Sequence, residues 1–180
     1  IGAGLELGGK DPAYVRADCN FEHTVENLVD GSYFNSGQSC CGIERIYVDE
    51  GIYDNFVDAF KAQTEKYILD NPLDESTNLG PVVKLSAANN IRNQISKALN
   101  AGANNIIDLA KFKNDNSDNC YVAPSALINV DHSMEFMMEE TFGPTVGIMK
   151  VKNENDAEVL MNDSAYGLTA SIWTSDINFA

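Results

Sequence analysis

Short β-branched and aromatic runs alternate with segments of helical periodicity along most of the 180-residue chain, and this alternation limits the fold more than any single motif does. Strand-like runs occupy 13–15, 46–48, 105–109, 121–130, 145–151 and 169–174. Between them lie amphipathic stretches. From Phe21, the positions Val25, Leu28 and Val29 share one helical face, with Asn20 placed to cap it. Tyr53, Phe56, Val57 and Phe60 form a second stripe, which must stop before Asn71-Pro72 because proline disfavours helical geometry in the residue ahead of it. Ile91, Ile95 and Leu99 form a third, with Ser86 as cap and Gly102 as terminator. Asn155 and Glu158 have the spacing of a capping box for a short helix through Leu160. Strand-helix alternation of this kind predicts an α/β fold with a mostly parallel sheet and helices on both faces. The chain is long enough for one full core and contains no stretch that reads as a linker. The polar run at 111–119 reads as an exposed loop.

Charge narrows the range of partners. Acidic residues number 27 against 12 basic, a net charge of −15, which repels phosphate backbones and anionic lipid. Nucleic acid and membrane surfaces are therefore not expected as partners. No apolar run has the length of a bilayer span, and no signal-peptide pattern is present. Four cysteines in a chain this long are too sparse for a disulfide scaffold; free thiols and a cytoplasmic setting are expected. The chain opens at Ile1 inside a glycine-rich apolar stretch and stops soon after a strand-like run, which reads as a segment cut from a longer protein.

Three places hold candidate chemistry. The opening "GAGLELGG" imitates a dinucleotide fingerprint, but no strand precedes it, and Pro12 falls where the required helix would run. Tight backbone packing is the better reading of Gly8-Gly9. Glu6, between Leu5 and Leu7, is either a solvated strand residue or, if buried, a general base. In "GQSCC", Cys40 and Cys41 admit four readings. A vicinal disulfide strains the preferred geometry, and Cys19 with His23 is only half of a zinc motif. Inert buried thiols and a nucleophile remain, the latter favoured by a turn that offers backbone N–H groups to an oxyanion. A Cys–His dyad would need His23 or His132 brought in by the fold. Finally, Glu139-Glu140 followed by Phe142-Gly143-Pro144 is either an exposed acidic turn or a carboxylate beside an aromatic wall.

Taken together, "LELGGK" (5–10), "GQSC" (37–40) and "EETFGP" (139–144), in this order and at these separations, resemble the aldehyde dehydrogenase superfamily. The segments 71–83, 121–130 and 162–176 are similar to it too, so the resemblance covers nearly the whole chain. It implies a Rossmann-like catalytic domain that oxidises a small-molecule aldehyde to its acid, with NAD or NADP as cofactor, within a homo-oligomer. Position by position, it makes Cys40 the nucleophile and Glu6 the base that activates the deacylating water. Glu140 becomes the carboxylate for the nicotinamide-ribose hydroxyls, and Phe142 the aromatic contact near the nicotinamide. Cys41 is the variable neighbour, and Glu44 stands where a small residue is commoner. The resemblance also implies that residues 1–180 are most of one catalytic domain, with the cofactor-binding domain, an oxyanion-donating asparagine and the C-terminal remainder lying outside them. The chain by itself is then expected not to oxidise aldehydes. A non-catalytic structural module with inert cysteines, or a residual thiol esterase, are the alternatives.

Overall fold

The structure, a computed structural model, describes residues 2–180. A six-stranded sheet runs through it in the order β3-β4-β5-β2-β1-β6. Its strands are β1 (Asp11–Val15), β2 (Ile43–Asp49), β3 (Asn104–Asn105), β4 (Ser125–Ile128), β5 (Thr145–Val151) and β6 (Ser171–Trp173). All neighbours pair in parallel except β3, a two-residue antiparallel edge on β4. Pro12 cannot donate to a ladder, and it sits where the register between β1 and β2 shifts.

The helices are α1 (Phe21–Tyr33), α2 (Tyr53–Thr64), α3 (Leu85–Asn100), α4 (Glu135–Met138) and α5 (Glu154–Asn162). Period-two alternation along the central strands assigns them to faces. Ala13, Val15, Ile46, Val48, Val146 and Ile148 point to one side, where they pack with Leu28 and Val29 of α1 and Phe56 and Phe60 of α2. Tyr14, Tyr47 and Val151 point to the other side, against Ala157 of α5. Leu127 meets Ala98 of α3 and Phe136 and Met137 of α4. Helices thus cover both faces, as the alternation predicts. Each fully buried Leu or Phe in these layers contributes roughly 1.5–3 kcal/mol of transfer free energy. Among the described residues, no helix is long and apolar enough to cross a membrane.

Several element boundaries differ from the sequence expectation. The run at 105–109 is strand only at its start, because Leu109–Lys111 turns into one 3₁₀ turn. The run at 121–130 pairs only over Ser125–Ile128, and Asn129 ends it in the left-handed region at φ 55°. The expected stripe Ile91, Ile95, Leu99 is rotated: α3 buries Ile91, Gln94 and Ala98, and leaves Leu99 exposed. Lys84, not Ser86, is the N-cap of α3 and makes no side-chain cap bond; Asn20 does precede α1, but its side chain caps nothing. The run at 111–119 is anchored by Phe112, which is buried, and by Asp115 paired with Arg92 at 2.8 Å.

The cap of α5 lies two residues earlier than the capping-box spacing places it. The Asn153 side chain accepts the Asp156 N–H at 3.0 Å, whereas Asn155 is exposed within the first turn. Asn153→Ala is expected to lower unfolding stability by about 1 kcal/mol, and Asn155→Ala to change it by less than about 0.5 kcal/mol, in urea denaturation.

Candidate active site

Each of the motifs sits in a loop that feeds the amino end of a parallel strand. Residues 5–10 lead into β1, 37–41 into β2, 139–144 into β5 and 165–168 into β6. Because these four strands are mutually parallel and contiguous in the sheet, their entry loops meet along one edge. Open α/β sheets usually bind ligands at the carboxyl ends of their strands; this chain gathers its candidate chemistry at the opposite ends.

Glycines let the loops touch. A Cβ on Gly9 would stand 2.2 Å from the Cys40 carbonyl oxygen. Gly37 has φ +71°, and a Cβ there would lie 1.9 Å from the Gly143 carbonyl oxygen. The backbones of all three motifs are therefore in direct contact. Asn35 and Ser36 are also left-handed, at φ 51° and 56°, so the turn ahead of Cys40 stores strain. The segment at 80–83 buttresses it. Ser36 Oγ donates to the Gly80 carbonyl at 2.8 Å, and Gln38 Oε1 accepts the Val83 N–H at 2.8 Å.

Beneath the loops lies a buried polar network. Lys10 Nζ donates to Glu44 Oε2 at 2.5 Å and to Thr141 Oγ1 at 3.3 Å. Glu44 also accepts the backbone N–H of Thr141, at 2.9 Å, and of Phe142, at 3.0 Å. Thr141 Oγ1 donates to Gln94 Oε1 at 2.6 Å, and Gln94 Nε2 donates to the Glu140 carbonyl at 3.3 Å. Burial pushes the Lys10 ammonium below the ordinary lysine range, and Glu44 beside it opposes that shift. Arg45, 1% exposed, has no carboxylate partner among the described residues. Its guanidinium instead donates to the carbonyls of Lys10, Leu160, Met161 and Asp163. It thereby caps the C-terminus of α5, where a cation is favoured, and ties the first loop to the 160–168 segment.

Two cavities at this edge reach Cys40. One, of about 410 Å³, is lined by Glu6, Gly8, Gln38, Ser39, Cys40, Glu140 and Phe142. The other, of about 340 Å³, is lined by Leu5, Glu6, Leu7, Gly8, Cys40 and residues 165–168. Glu6, Gly8 and Cys40 belong to both and form the wall between them.

All four residues singled out from sequence thus border a single cavity. Cys40 is half-buried, and among the described residues its N–H meets no acceptor, which leaves it free for an oxyanion. Glu6 is exposed and unpaired among the described residues. Glu140 is half-buried; its Oε1 accepts the Gly9 N–H at 2.9 Å, and its Oε2 meets no protein donor among the described residues. Phe142 is 40% exposed at φ +53°, a conformation an aromatic residue rarely adopts. Cys41 is exposed and faces Ser39 Oγ at 3.3 Å. Cys19 packs against the main core and Cys120 against the Ile91 cluster, so both stand apart from Cys40. Neither histidine reaches Cys40: His23 contacts Asn27, and His132 bonds Tyr47 Oη at 2.8 Å and Asp163 at 2.7 Å. A Cys–His dyad is not formed.

The sequence did not single out Lys10, Thr141, Gln94 or Tyr166. Gln94 carried a signal, as a polar residue on the buried face of α3 between Ile91 and Ala98. Tyr166 accepts the Glu140 N–H at 3.4 Å and donates to Glu139 at 3.3 Å, which no local pattern foretells.

The sequence profile described as "Aldehyde dehydrogenase family" matches residues 2–180. The chain belongs to the aldehyde dehydrogenase family. It is 35% identical over 176 residues to 3-sulfolactaldehyde dehydrogenase of Priestia aryabhattai, a match spanning 98% of this chain and 36% of that protein. Among solved structures, betaine aldehyde dehydrogenase of Staphylococcus aureus in complex with NAD+ superposes with a TM-score of 0.88 at 35% identity, covering 97% of this chain and 35% of the other. NADP-dependent glyceraldehyde-3-phosphate dehydrogenase of Bacillus halodurans C-125, complexed with NADP, gives 0.89 at 35% identity, covering 98% and 36%. The chain therefore spans just over a third of the length of these aldehyde dehydrogenases, and its Rossmann-like fold is theirs.

Contact between the motif loops depends on the missing side chain at Gly9. Gly9→Ala is expected to destabilise the chain by roughly 1–3 kcal/mol, as overpacking does, while Gly4→Ala, with nothing within 4 Å, shifts stability by less than about 0.5 kcal/mol. Urea midpoints of the two variants check this.

Proposed function

We propose that residues 1–180 are most of the catalytic domain of an NAD(P)-dependent aldehyde dehydrogenase, which oxidises an aldehyde to a carboxylic acid through a thioester on Cys40. The observation that carries this reading is the shared wall. A nucleophile (Cys40) and a carboxylate (Glu6) stand between one cavity edged by Glu140 and Phe142 and another edged by residues 165–168.

The first cavity fits the nicotinamide-ribose half of the cofactor. Glu140 Oε2 has no protein donor among the described residues and can accept ribose hydroxyls, and the partly exposed Phe142 ring offers an apolar wall. When bound, the cofactor supplies a hydride acceptor. The chain's own residues do the rest. The Cys40 thiolate adds to the aldehyde carbon, forming the C–S bond, and the Cys40 N–H meets the resulting oxyanion. After hydride loss, Cys40 carries the acyl group as a thioester. Glu6 takes a proton from water, the water oxygen attacks the acyl carbon, and the C–S bond breaks to release the acid and restore the thiolate. On this reading the cofactor-binding fold lies outside residues 1–180, in keeping with a chain that spans just over a third of its relatives' length. A cytoplasmic setting accords with four free thiols, and a homo-oligomer with the exposed apolar residues Leu5 and Leu7 beside the site.

A second reading, thiol-dependent ester hydrolysis, is favoured by one observation. Cys40 and Glu6 border both cavities without help from Glu140 or Phe142 on the second, so acyl transfer to water needs no hydride acceptor.

The test is site-resolved alkylation of the folded chain with iodoacetamide, followed by peptide mass spectrometry. Cys40 is expected to react faster than Cys19, Cys41 and Cys120, because it alone of the four cysteines borders both cavities. Equal, slow labelling of all four would instead identify a non-catalytic module.

A further inference from the structure

Glu44 has no place in the chemistry above, yet it is buried and turned toward the site loops. Its carboxylate occupies a concavity made by two successive backbone N–H groups, those of Thr141 and Phe142, with Phe142 in the left-handed region. Such a nest binds anions and is normally open to a ligand; here a side chain of the same protein fills it. The left-handed φ of Phe142 costs of order 1–3 kcal/mol and persists only if the surroundings enforce it. Among the described residues, the Phe142 N–H bonds only to Glu44, seated in turn on Lys10, while Gln94 and Tyr166 hold the neighbouring Glu140 backbone.

We infer that Glu44 is a positioning residue for the cofactor side of the site. It holds the 140–142 turn in the conformation that sets the Phe142 ring and the Glu140 carboxylate along one cavity wall. The inference rests on the proposed function, since it gives that wall a cofactor to meet. Glu44 touches neither Cys40 nor the cavity, and acts through the backbone of the turn. It lies on β2, four positions after Cys40, and bonds to Lys10 of the first motif and to the turn of the third. Removing its charge frees the turn while leaving the β2 ladder intact.

The test uses Glu44→Gln and Glu44→Asp, with two readouts. In the 180-residue chain, amide hydrogen exchange is followed at Thr141 and Phe142, with Tyr47 and Ile148 in the neighbouring strands as internal references. In Glu44→Gln the two turn amides are expected to exchange at least about tenfold faster, the scale of one lost charge-assisted hydrogen bond, while the reference amides keep their rates. In the polypeptide that joins residues 1–180 to a cofactor-binding portion, the same change is expected to raise the KM for NAD(P)+ at least about tenfold and to move kcat by less than about threefold. Glu44→Asp, which keeps the charge, recovers part of both losses. If Glu44→Gln fails to fold because Lys10 is left unpaired, the double variant Lys10→Met with Glu44→Gln removes that charge and is read in the same way. Turn amides that stay protected, a KM that does not move, or a uniform loss of protection across strands and turn would each overturn the inference. Wild-type polypeptide with no cofactor-dependent oxidation would instead overturn the proposed function, a result separate from the exchange rates.

Discussion

The structure depends on one buried ion pair. Lys10 and Glu44 are almost fully withdrawn from water, and a buried charge is tolerated only when a partner and further hydrogen bonds replace the solvent it has lost. That requirement draws in Thr141, the Phe142 amide and, through Thr141, Gln94 of α3. Lys10 ends the first motif, Glu44 follows the second, and Thr141 lies inside the third. The motifs, far apart in sequence, are thus tied to one electrostatic centre. Shifting any of them would leave a charge unsatisfied in the interior, a penalty above the strain accepted at any one of Asn35, Ser36 and Phe142.

The topology makes this centre possible. In a parallel sheet, contiguous strands present all their entry loops at one edge, so chemistry from residues 5 and 142 can meet once β1, β2 and β5 lie side by side. The order β5-β2-β1-β6 places the cysteine loop between the glutamate loop and the turn carrying Glu140 and Phe142. The glycines then let backbones approach to contact, and Arg45 anchors the 160–168 segment that closes the second cavity. In this family member, scaffold and site are joined by few residues. The polar ones among them are buried, although none performs the reaction.

Much of this was legible in the sequence, for physical reasons. The short runs in β1, β2 and β5 stood out by their apolar, β-branched and aromatic content, and the observed facing of Ala13, Ile46 and Val146 matches strand alternation. Cys40, Glu6, Glu140 and Phe142 were singled out by the resemblance of the three motifs to the aldehyde dehydrogenase superfamily, local pattern having left each open, and the fold brings all four to one cavity. What stayed hidden is long-range. Lys10 closes the first motif and Glu44 stands where a small residue is commoner in the family; neither local pattern encodes a partner 34 residues away. The α3 stripe was misjudged because Leu99 is apolar yet exposed, while the buried place went to Gln94, whose amide serves the polar network. The α5 cap was misplaced because Asn153 and Asn155 are equally good cap residues, and only the chain path selects the first.

In the proposed mechanism Cys40 carries an acyl group and Glu6 directs water onto it. Acyl trapping tests this most directly: folded chain and its Glu6→Gln variant are mixed with p-nitrophenyl acetate, quenched over a time course and mapped by peptide mass spectrometry. The account predicts acetyl on Cys40 alone, turning over in the wild type and persisting in Glu6→Gln. Acetyl spread evenly over Cys19, Cys40, Cys41 and Cys120, or equal lifetimes on Cys40 in both proteins, would contradict it.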